Sequence, residues 1–79
     1  MKTAKTATIQ TALSALLAAS GFPTYAARAK SEKNPVVLRH YAGMILRALG
    51  RVEDAAKRAM FQKEIGSRFA ALGLVPEMK

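Results

Sequence analysis

Cysteine is absent from these 79 residues, and so is tryptophan. Without cysteine there is no disulfide to staple a small chain, no thiol nucleophile and no thiolate zinc site. Histidine occurs once, at His40, so a site built from several imidazole ligands is excluded within one chain. Carboxylates are scarce too: five acidic residues stand against thirteen lysines and arginines, a formal charge of +8. Large apolar residues are few. The apolar fraction is 51%, but much of it is alanine, with only two tyrosines and three phenylalanines. No run reaches 18 consecutive apolar residues, so a transmembrane span is not expected.

The scarcity of chemical groups narrows the function. Ser14, Ser20, Ser31 and Ser67 lie in no nucleophile elbow. Glu53 and Asp54 are adjacent and would diverge on a helix, and Glu64 and Glu77 stand alone. The glycines are scattered and form no phosphate-binding loop. The chain is therefore expected not to be an enzyme and to need no metal and no cofactor. His40, beside Tyr41, reads as a surface or boundary residue.

What remains is helical pattern and positive charge. The fold class expected is all-α: one small domain, a bundle of three to four helices, either self-contained or completed by homodimerisation. The first helix is expected at about 5–20, where Ile9, Leu13, Leu16 and Leu17 form one apolar stripe. Gly21-Phe22-Pro23 is a stop signal. A short helix is expected at 24–33, with Thr24 as a possible cap. The third runs over 35–49, capped by Asn34, with Pro35 at the first helical position. Its broad apolar face comprises Val37, Leu38, Tyr41, Met44, Ile45, Ala48 and Leu49, with Leu46 off it. The fourth is expected at 51–72, with Glu53 and Asp54 in its first turn, the i,i+4 pairs Glu53–Lys57, Asp54–Arg58 and Glu64–Arg68, and a second stop at Gly73-Leu74 before Pro76.

The fourth helix carries two stripes: Val52, Ala55, Ala56 and Ala59 on one side, and Phe61, Ile65, Phe69 and Leu72 nearly opposite. Either the helix breaks near Phe61–Glu64, or the first and third helices sandwich it, or the second stripe is an oligomer interface in a homodimer. Gly66, inside this helix, either lets another helix approach closely or simply bends it.

The N-terminal segment has the outline of a secretory signal, with Lys2 and Lys5 before an apolar-leaning run and small residues near Ala26. Against this, the run contains Thr8, Gln10, Thr11, Ser14 and Ser20, and its large apolar residues keep helical spacing. A cytoplasmic location is the expectation.

The charge is uneven. Residues 1–51 hold eight basic groups against Glu32 alone, +7, and residues 52–79 hold five against four, +1. Such asymmetry points to an anionic partner. Arg28, Lys30, Lys33, Arg39, Arg47 and Arg51 are the candidate contacts, arranged around the junction of the second and third helices. The function expected is nucleic-acid binding mainly through phosphates. Base-specific reading is not expected, because the third helix opens Val36-Val37-Leu38 where a recognition helix needs polar groups. The alternative is a protein-interaction module or inhibitor that uses the same cations on an acidic protein surface.

Overall fold

The structure is a computed structural model, and it describes residues 5–76. Lys2 and Glu77, which enter the charge and acid survey above, lie outside that range. The described chain forms four helices: α1 Thr6–Ala19, α2 Pro23–Ala29, α3 Pro35–Leu49 and α4 Ala55–Ala71. The Cα radius of gyration is 11.9 Å. A packed chain of this length is expected near 12 Å, so the helices are collapsed on one another.

Both stop signals close their helices in the same way. Gly21 and Gly73 adopt left-handed backbone, φ +88° and +70°. At the first, Phe22 N–H donates to Leu17 O at 2.8 Å and Gly21 N–H to Ala18 O at 3.2 Å. At the second, Leu74 N–H reaches Phe69 O at 2.9 Å and Gly73 N–H reaches Ala70 O at 3.0 Å. This six-to-one and five-to-two pattern is the Schellman motif, in which the residue after the glycine folds back on the helix. Leu74 is accordingly buried with Phe69 in the core, and Phe22 packs against it.

The α3 boundaries agree with the sequence reading. Asn34 Oδ1 accepts from Val36 N at 3.0 Å, and Pro35 occupies the first turn. Two other boundaries need correction. The second helix ends at Ala29 and not at 33. Glu32's carboxylate accepts from the amides of Lys33 and Asn34, turning the chain, and a residue before proline is pushed toward extended backbone. Pro23, not Thr24, opens that helix, with Phe22 at the cap position. The fourth helix begins at Ala55 and not at 51, because Asp54 is its cap: one carboxylate oxygen accepts from Ala56 N at 2.9 Å and Lys57 N at 3.1 Å. Glu53 and Asp54 thus precede the first turn. Arg58 donates to Val52 O at 3.0 Å. The Glu64–Arg68 pair forms as expected, at 3.3 Å and well exposed, where such pairs contribute only a few tenths of a kcal/mol.

Helix α3 is the central element. It packs against α1, α2 and α4, while α4 has α3 as its helical neighbour. The core comprises Ile9, Leu13 and Leu17 of α1, Ala26 and Ala29 of α2, Leu38, Tyr41, Ala42 and Ile45 of α3, Phe69 of α4 and Leu74 beyond it. Leu46, expected off the apolar face, also packs against this cluster, since α3 is covered on more than one side. At the seam of α1 and α2, the buried Ser14 hydroxyl donates to Ala26 O at 2.9 Å. Gln10 ties α1 to the α2–α3 connector through Glu32 O at 2.6 Å.

The two stripes of α4 separate in the main, with exposed Phe61 and half-buried Val52, which precedes the helix, as exceptions. Phe69 is fully buried and Ile65 and Leu72 are half-buried against the core, whereas Ala55, Ala56 and Ala59 are exposed. The helix is continuous from Ala55 to Ala71 and is not sandwiched between α1 and α3. An ideal Cβ at Gly66 would meet nothing within 4 Å, so within the chain that glycine serves no close approach.

Candidate nucleic-acid interface

All six candidate cations are exposed. Arg28 sits in the last turn of α2, Lys30 at its C-terminal cap, Lys33 in the five-residue connector, and Arg39 in the second turn of α3. By chain position these four flank the α2–α3 connection, but their side chains part: Arg28 lies over Tyr25, which packs on Tyr41, whereas Arg39, about 200° from Tyr41 around α3, borders a cleft with Lys33. Arg47 lies in the last turn of α3 and Arg51 just beyond it. At a rise of 1.5 Å per residue, Arg39 and Arg47 are separated along the helix axis by roughly 12 Å. The set therefore divides into a corner group and a pair toward the other end of α3.

The local chemistry of each group differs. The Arg28 guanidinium lies 5.7 Å from the centre of the Tyr25 ring, a cation–π contact on the exposed face of α2. Tyr25 is itself held by rings on both sides, edge-on to Phe22 at 6.3 Å and tilted on Tyr41 at 5.7 Å. Arg39 donates its Nε hydrogen to Val75 O at 3.1 Å, which ties the segment after α4 to α3. An arginine has five N–H donors, so this tether leaves its terminal amino groups available.

Three of the four described carboxylates are engaged elsewhere, and the fourth, Glu53, is exposed beyond the far end of α3. Glu32 accepts from backbone amides, Asp54 caps α4, and Glu64 meets Arg68. The charges of the α2–α3 corner are thus left to solvent or a ligand. Among the described residues no cluster of three or more histidine, aspartate or glutamate side chains is placed to hold a metal ion. No described helix is long and apolar enough to cross a membrane.

A helix-turn-helix reading gains little from the geometry. Helix α2 has two turns, and α3 presents Val36 to solvent at 59% exposure at the very start, where base-reading side chains would sit. The polar exposed residues of α3 are Arg39, His40 and Arg47.

Two features were missed in the sequence. The Tyr25–Arg28 stack has a local signal, i,i+3 spacing on a helix. The other has none. Lys33 and Arg39 stand on the rim of a cleft of about 440 Å³, whose walls come from the start of α1, the start of α3 and the Gly73–Val75 segment. Such a cleft depends on three parts of the chain meeting, which periodicity does not reveal.

Of the proposed oligomer residues, Phe69 is fully buried within the chain, Ile65 and Leu72 are half-buried, and Phe61 sits at the edge, 36% exposed. Its neighbour Met60 is more exposed, at 56%. Comparison with protein families, characterised proteins and solved structures found no match.

Proposed function

We propose that this chain acts in the cytoplasm by binding nucleic acid, mainly through phosphate contacts from Arg28, Lys30, Lys33 and Arg39 at the α2–α3 corner, extended by Arg47 and Arg51. One observation carries the reading: the corner cations are exposed while Glu32, Asp54 and Glu64 serve amides or Arg68. Phosphate contacts need accessible cationic donors and no particular base-reading helix, which suits the apolar opening of α3.

The test is fluorescence anisotropy with labelled duplex DNA, single-stranded DNA and a structured RNA at 50 mM salt. The proposal expects saturable binding to at least one of them. Replacing Arg28, Lys30 and Lys33 by glutamine together should weaken binding and make the salt slope shallower by about three units. Binding to none of the three probes at low salt rules the proposal out.

A second reading has its own observation. Met60 and Phe61 are exposed on α4, which favours a protein partner with an acidic, partly apolar surface. A homodimer, if it forms, would also use this part of α4, because the rest of the Phe61–Leu72 stripe is occupied within the chain. Capture of one defined partner that survives nuclease treatment would favour this reading over nucleic acid.

A further inference from the structure

The cleft bounded by Lys33 and Arg39 has a composition that phosphate binding alone does not need. Its inner wall is aliphatic: Ile9, Leu38 and Leu74 line it and are each less than a tenth exposed. Its rim is cationic, with Lys33 and Arg39, and Thr6 contributes a hydroxyl on the α1 side. No aromatic ring lines it, so it offers no stacking surface for a base. At about 440 Å³ it falls within the size range of small-molecule pockets, which combine an apolar lining with a few polar groups that fix orientation. The described acid nearest in sequence, Glu32, has its carboxylate on the Lys33 and Asn34 amides.

We infer that this cleft binds a medium-chain aliphatic carboxylate, with the alkyl chain against Ile9, Leu38 and Leu74 and the carboxylate on Lys33 and Arg39. Charge complementarity selects the head group. The terminal amino groups of Arg39 suit a two-oxygen acceptor, because its Nε is already anchored on Val75 O. The aliphatic wall selects the tail, since burying methylenes there removes them from water without leaving polar groups unpaired. The inference stands apart from the nucleic-acid reading: its ligand is small, and its test contains no nucleic acid.

The experiment titrates decanoate, below its micelle concentration, into the full chain and follows backbone amides by NMR. Decanol serves as the uncharged comparison. The expected result is saturable shifts at Gly73, Leu74 and Leu38, with decanoate binding about tenfold tighter than decanol because only it makes charge-assisted bonds. Lys33→Gln should weaken decanoate severalfold and leave decanol unchanged. Thr6→Phe, a substitution at an exposed position on the wall, should obstruct both ligands while the spectrum elsewhere stays that of the folded chain. The inference is overturned by an absence of saturable shifts, by equal affinity for acid and alcohol, or by shifts centred on Met60 and Phe61 instead of the cleft.

Discussion

Gly66 and Gly21 form a matched pair that separates space from backbone conformation. A Cβ built at either position meets nothing within 4 Å. They differ in φ: Gly21 is at +88°, whereas Gly66 lies inside α4 and outside the positive-φ set. Gly66→Ala therefore introduces no clash, removes the unfolded-state freedom of glycine, and should stabilise the fold by about 1 kcal/mol. Gly21→Ala meets equally open space but must place a Cβ in left-handed backbone, at a cost of about 1–2 kcal/mol. In a domain this small, each kcal/mol shifts the thermal midpoint by roughly 4–8 °C. The first variant should melt several degrees above the parent and the second several degrees below it. Circular dichroism at 222 nm during thermal and urea unfolding measures both, and an unchanged urea slope would show that stability alone has moved. A Gly66→Ala variant that melts lower than the parent would refute the reasoning. If that loss grew with protein concentration, a second helix would be packing on Gly66 and the homodimer would be the explanation.

Other substitutions test the packing directly. Ser14→Ala removes a buried hydroxyl donor to Ala26 O and should cost about 1 kcal/mol in urea unfolding. Thr11→Ala, whose hydroxyl bonds its own helix at Ala7 O on the exposed side, should cost almost nothing. Asp54→Ala strips the α4 cap of two amide contacts and should lower stability by about 1 kcal/mol. Asp54→Asn should retain most of it. Phe69→Ala empties the largest fully buried position at a cost of about 3–5 kcal/mol, a large part of the margin of a domain this size, roughly 4–12 kcal/mol. It should lose most helical signal at 37 °C. A Phe69→Ala variant within about 1 kcal/mol of the parent in urea unfolding would refute the burial of Phe69 in the core.

The parts of this fold that were legible in sequence are those written in short-range chemistry. Asn34-Pro35 marks the start of α3, and the two glycine stops mark the ends of α1 and α4, because caps and left-handed turns are decided within five or six residues. Misplaced boundaries arose where two local signals compete. Val52-Glu53-Asp54 is compatible with a helix by propensity, but an aspartate ahead of Ala55-Ala56-Lys57 is worth more as a cap than as a first-turn residue. Lys30 to Lys33 are equally compatible with a helix, but Pro35 and the Glu32 carboxylate end it early. The periodicity of α4 showed two stripes without saying which turns inward. Large side chains settle that, because Phe69 and Ile65 remove far more apolar area from water than three alanines do. The individual cations of the candidate site were legible, but their division by the length of α3 and the cleft beside Lys33 are tertiary properties.

The charge imbalance has a consequence that salt can expose from two directions. With a net +8 and three of the four described carboxylates committed locally, the folded chain repels itself. Raising ionic strength shortens the screening length from about 30 Å at 0.01 M to about 8 Å at 0.15 M, so the urea midpoint should rise over that range. Nucleic-acid affinity should move the opposite way. Four phosphate contacts from the α2–α3 corner give a slope of about −3.6 in log affinity against log salt on duplex DNA. Six contacts, with Arg47 and Arg51 engaged as well, give about −5.4. Between 50 and 200 mM these amount to losses of about 150-fold and about 2,000-fold. The slope therefore reports whether one end of α3 or both ends meet the ligand. Because stability and affinity change in opposite senses, unfolding at high salt cannot mimic the loss of binding. A slope shallower than about −1, in a chain whose stability still rises with salt, would show that the corner cations repel one another without ever meeting a phosphate.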